Sequence, residues 1–64
     1  MPDYSGMTVN ERLVLAGLMD AFDQAARRRN RAEIIEVLLK VELTPQQAAW
    51  TTDALLANPA RYGY

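Results

Sequence analysis

Four arginines fall within five positions, Arg27, Arg28, Arg29 and Arg31, and they make up more than half of the chain's seven basic side chains. Guanidinium groups at this density could grip a phosphate backbone, since each offers a planar fork of donors that matches phosphate oxygens. Phosphate contacts without base-reading partners, however, give only weak and salt-sensitive binding. If the second and third helices were drawn as a helix-turn-helix, the recognition element would lie between Val41 and Ala60. That segment contains Glu42 and Asp53 but no Lys or Arg, so it would bring net negative charge to the phosphates. Weak nucleic-acid association through the arginine cluster is therefore the alternative reading, and nucleic acid is disfavoured as a partner.

Other chemistry is sparse. The chain has no histidine and no cysteine, which removes the usual general base, the thiol nucleophile and the nitrogen and sulfur ligands of a zinc site. Its single serine, Ser5, has no base near it in sequence and lies in an N-terminus expected to fray. Asp20 with Asp23, and Glu33 with Glu36, are spaced i, i+3, which on an exposed helix face means solvent contact rather than a carboxylate pair. No glycine-rich phosphate loop is present. The expectation is a non-enzymatic protein with no catalytic residues, cofactor, metal or small-molecule substrate.

The elements that position these residues are marked by their start and stop signals. "TVNE" from Thr8 to Glu11 has the form of a capping box, in which the hydroxyl and the carboxylate each accept a backbone N–H from the other residue. The apolar spacing of Val14, Leu15, Leu18, Phe22, Ala25 and Ala26 then predicts a helix over about 9–28, with Asp23 and Arg27 four apart on its polar side as an ion pair. Gly17 would lie inside that helix, where the close approach of a neighbouring helix would explain it. Asn30 followed by Glu33 starts a second helix over 31–41, which puts Arg27, Arg28 and Arg29 at the negative end of the first helix's dipole. "TPQQ" from Thr44 to Gln47 starts a third over 45–57, and Asn58 with Pro59 ends it, asparagine tolerating the left-handed conformation. The reading is all-α: a small three-helix bundle forming one domain over 1–64, with a flexible N-terminus over 1–7 and a short tail over 58–64.

A chain of 64 residues buries a small core and needs a supplement, and without cysteine or zinc ligands the candidates are idealised helix packing and self-association. The helix over 31–41 is apolar around more than half of its circumference, which leaves Ile35 and Leu39, one turn apart, as a candidate contact for a second copy or a partner. Trp50 falls on the opposite side of its helix from Ala48, Thr52 and Leu55, so either Tyr62 or Tyr64 of the tail covers it or a partner does. Ile35, Leu39 and Trp50 are accordingly the expected interface, toward a protein partner or a homodimer.

Half of the residues are apolar and the formal net charge is −1, the balance of an ordinary globular domain. "MPDYSGM" has neither a basic nor an apolar leader region, and no apolar run reaches the ~18 residues of a membrane span, so the expected compartment is the cytoplasm. "NERLVLAGLMDAFDQA" from Asn10 to Ala25, together with "VEL" at Val41 to Leu43 and "AAWTTDALLANPARYGY", resembles short hypothetical proteins of bacterial genomes. The resemblance implies a bacterial source and a compact helical domain, and it transfers no activity and no site residues.

Overall fold

The computed structural model describes residues 4–64. The described chain is all-α, and its helices are α1 (Val9–Ala16), α2 (Met19–Arg27), α3 (Arg31–Lys40) and α4 (Pro45–Ala57), followed by a 3-10 turn, Pro59–Tyr62. The expected three-helix bundle is thus corrected to four helices, because the segment read as one helix over 9–28 is broken at Gly17. Gly17 adopts a left-handed φ of 71°, donates to the carbonyl of Val14 and lets Leu18 N donate to the carbonyl of Leu13, which ends α1. A Cβ at Gly17 would meet nothing within 4 Å. The glycine therefore answers a backbone requirement, and the close helix approach expected from its position is absent.

Three of the four starts, those of α1, α3 and α4, are as the sequence predicts, and α2 starts after Leu18 with no side-chain cap. Thr8 and Glu11 form a reciprocal capping box, with Thr8 N to Glu11 Oε1 at 3.0 Å and Glu11 N to Thr8 Oγ1 at 3.2 Å. Thr44 and Gln47 repeat it at α4, and the Asn30 side chain accepts from Glu33 N at α3. The ends share one device. α2 closes on Arg29 (φ 57°) and α3 on Glu42 (φ 68°), and in each case the following amide, of Asn30 or Leu43, donates back to a carbonyl of the last turn. Asn58, at φ −148°, is not left-handed; Pro59 opens the 3-10 turn instead, and Gly63 (φ 90°) takes the left-handed role after it.

The break resets the phase of the apolar stripe. α1 buries Leu13 and partly buries Val9 and Ala16, whereas Val14 and Leu15, expected inside, are 66% and 54% exposed. α2 buries Phe22, Ala25 and Ala26. α3 packs on α2 along one side and on α4 along the other, so Ile34, Val37, Leu38 and Val41 are consumed within the core. The N-terminal segment is not a loose arm throughout: Tyr4 is only 7% exposed and belongs to the core, while positions 1–3 of the predicted flexible stretch lie outside the described residues. Arg12 fixes that segment, donating from Nε to the Met7 carbonyl (3.3 Å) and from Nη1 to the Val41 carbonyl at the end of α3 (3.0 Å), with its guanidinium 5.7 Å from the centre of the Tyr4 ring.

The left-handed positions have unequal costs. An L-residue pays about 1–2 kcal/mol there, so Glu42→Gly, which gives up no side-chain hydrogen bond or ion pair, should stabilise the protein by about 0.5–1 kcal/mol after the added unfolded-state freedom of glycine is deducted. Gly17→Ala should destabilise it by about 1 kcal/mol or more. Urea unfolding followed by circular dichroism measures both, and equal stability of Gly17→Ala and wild type would refute the terminator role.

Candidate functional site

The close helix pairs run in chain order, α1 on α2, α2 on α3, α3 on α4 and α4 on the 3-10 turn; α1 does not pack closely along α4. The open seam between first and last helices holds a groove of ≈500 Å³. Phe22 and Leu55, both core residues, face it from α2 and α4; Val9 and Asn10 line it from α1; Arg61 and Tyr62 line it from the 3-10 turn. At Val9 and Thr51 the groove adjoins a shallower depression of ≈250 Å³ bordered by Trp50 and Leu43. At Asn10 it adjoins an apolar surface formed by Glu11, Val14 and Leu15. Exposed apolar side chains border these surfaces: Trp50 (75% exposed) the shallower depression, Tyr62 (48%) the groove, and Val14 and Leu15 the surface beyond Asn10.

Of the interface residues expected from sequence, Trp50 is on this seam and lies outside the core, opposite the buried Ala48, Thr52 and Leu55. Ile35 is half-buried against the core and Leu39 is 41% exposed on α3. Neither lines the groove. Val14, Leu15 and Tyr62 were missed because the predicted continuous helix turned the first two inward and assigned the tail to Trp50.

The tail goes elsewhere. Tyr64 donates its hydroxyl to Asp23 Oδ1, and its carbonyl accepts from Arg29 Nη2 at 3.2 Å, so the chain is fastened to the end of α2. Asp23 therefore serves Tyr64, and the expected Asp23–Arg27 ion pair does not form. Burial and the Asp23 carboxylate push the Tyr64 phenol up to about 12, because both disfavour a phenolate; Arg27 acts weakly the other way.

The arginines are largely occupied within the chain. Arg29 Nη1 donates to the carbonyls of Ala26 and Arg27 at the end of α2, and the Ala26 carbonyl also accepts from the Arg29 backbone N–H. Arg31 holds Asp53 of α4, Nε to Oδ1 at 2.8 Å, and this bond with its charge lowers the Asp53 carboxyl and raises the guanidinium. Arg28 approaches Glu33 at 3.9 Å. Arg27 ends α2 on its exposed side, near Tyr64. Two of the four are thus committed to helix ends and to joining helices.

No protein-family model, curated protein or solved structure matches this chain. No group of three or more acidic, histidine or cysteine side chains among the described residues is placed to hold a metal ion, and no described helix is long and apolar enough to cross a membrane.

The Tyr64 latch has a pH signature. Its phenol pKa is raised on folding, so the stabilisation is complete below the unfolded value of 10.0 and is lost as the pH rises toward about 12. The stability difference between wild type and Tyr64→Phe should therefore shrink across pH 10 to 12, measured by denaturant unfolding at each pH. A difference that stays constant over that window would show that Tyr64 does not hold its proton through Asp23.

Proposed function

We propose that this chain is a non-enzymatic helical protein that acts through protein–protein contact, and that the seam between α1 and α4 is its contact surface. One observation carries the reading: α1, α4 and the 3-10 turn leave four apolar side chains, Val14, Leu15, Trp50 and Tyr62, exposed in and around a groove that reaches the core residues Phe22 and Leu55. Exposed apolar surface in a small protein is costly to leave wet, and tryptophan and tyrosine are the side chains that most often dominate binding energy at interfaces. A groove between two helices with an apolar floor accepts a helix or a hydrophobic ridge. The role is that of an accessory subunit or a self-associating module of the cytoplasm.

Nucleic-acid binding is the weaker reading. Arg29 and Arg31 would have to abandon intramolecular partners to reach phosphate, and α4 presents no basic side chain.

Two measurements test the proposal. Affinity capture with mass spectrometry should retain a protein with the wild-type chain and lose it with Val14→Asp or Trp50→Ala, while Leu39→Glu keeps it; retention by all three variants would sink the seam as the contact surface. Titration with duplex DNA at physiological salt should show nothing tighter than the non-specific range of roughly 10⁻⁴ to 10⁻⁶ M. A tight, sequence-dependent complex would reverse the ranking.

A further inference from the structure

Phe22 and Leu55 line the groove and are nevertheless almost fully buried, and three other residues of its wall, Arg61, Tyr62 and Tyr64, belong to the tail. Tyr64 packs against the core cluster to which Phe22 and Leu55 belong, so the tail is part of what keeps water from them. Its hold on the body is narrow. Pro59 and Tyr64 are half-buried, but every residue from Ala60 to Gly63 is exposed, and the 3-10 turn lies closely against α4 alone. The backbone bonds of this stretch stay inside the tail: Arg61 N donates to the Asn58 carbonyl, Gly63 N to that of Ala60 and Tyr64 N to that of Pro59. Among the described residues, the hydrogen bonds that tie positions 59–64 to the other helices both belong to Tyr64, whose hydroxyl donates to Asp23 and whose carbonyl accepts from Arg29 Nη2.

A segment that is bonded within itself and tied down by one residue opens as a unit when that residue lets go. Few buried apolar contacts are surrendered, so such an opening costs far less than global unfolding. Asn58, exposed where the helical backbone of α4 ends, is the joint. We propose that residues 59–64 form a strap that leaves the body when Tyr64 releases Asp23 and Arg29, and that its departure bares Phe22 and Leu55 in the groove. Closed, the strap is an autoinhibitory contact, because it occupies one wall of the groove and seals the apolar floor. Open, it adds an aromatic and an aliphatic side chain to the seam, the kinds of surface that bind another protein. The opening stands on the tail's own contacts, and its bearing on partner access rests on the reading of the seam as a contact surface.

Trypsin reads the opening in the full chain under native conditions, since cleavage after Arg61 follows the fraction of molecules whose strap is free. Tyr64→Phe and Asp23→Ala remove the same bond from its two ends. Each should speed cleavage after Arg61 at least ~10-fold, the factor for losing a hydrogen bond to a charged acceptor, and leave cleavage after Arg12 and Arg31 unchanged. The double variant should be no faster than the faster single one, because both act on one bond. Tyr64→Asp sets a carboxylate against Asp23 and should hold the strap open. It should bind several-fold more of an apolar-surface dye than wild type with its helical circular dichroism intact, whereas Tyr62→Asp, at an exposed position, should not. An unchanged rate after Arg61 in Tyr64→Phe, or an acceleration shared equally by Arg12 and Arg31, would overturn the strap. So would additive effects in the double variant, and so would a Tyr64→Asp chain that either binds no more dye or loses its helices. The capture experiment above reports on the contact surface whichever way the strap behaves.

Discussion

The left-handed turn at Gly17 is the constraint on which the arrangement depends. Helical side chains advance by about 100° per residue, so a break in the helix frees the next segment to choose its own buried face. Because α1 stops at Ala16, Leu13 can point into the core while Phe22, Ala25 and Ala26 of α2 fill it from another direction. Had the helix continued with Val14, Leu15, Leu18 and Phe22 as its buried stripe, Val9 and Leu13 would have been turned away from the core. The break therefore leaves Val14 and Leu15 exposed, while the groove lies between α1 and α4, which are not closely packed on each other. A single residue without a Cβ thus decides which face of α1 is buried.

Arg12 compensates for what the break loosens. α1 is eight residues long, too short to be stable on its own hydrogen bonds. Its capping box secures one end and the terminator the other, but its hold on the rest of the molecule passes through Leu13 and through the Arg12 guanidinium. That one group bridges the Met7 carbonyl, the Val41 carbonyl and the face of Tyr4, and so joins the N-terminal segment, α1 and the end of α3. A lysine would keep the charge but lose the fork that reaches two carbonyls at once.

Local chemistry made much of the fold legible. Thr8 with Glu11, Asn30 with Glu33, and Thr44 with Gln47 announced three helix starts, since each is a short-range exchange of hydrogen bonds that needs no tertiary partner. Trp50 was readable as an outward residue because α4 is continuous and its phase is fixed by Ala48, Thr52 and Leu55. The helix ends were harder. Gly17 looks the same in a sequence whether it terminates a helix or is tolerated inside one, and Arg29 and Glu42 adopt a backbone conformation that nothing about their side chains advertises. The candidate site inherited that difficulty, for the exposure of Val14 and Leu15 follows from the terminator and not from their own spacing. The destination of the tail was also hidden, because Tyr64 meets Asp23 and Arg29 only once the packing of α2 on α3 and of α3 on α4 has carried the tail to the end of α2.

The order of packing has a kinetic consequence. Each helix lies chiefly against its neighbour in the chain, so most of the core forms by closing short loops whose entropic cost is small. Contacts of this local kind define low contact order, and helical domains built on them fold in about microseconds to milliseconds. The long-range fastenings are few: Arg12 to the Val41 carbonyl, Arg31 to Asp53, Arg29 to the Tyr64 carbonyl, and the Tyr64 hydroxyl to Asp23. A chain with this topology can collapse helix by helix as it leaves the ribosome, before the residues that complete the seam have been made.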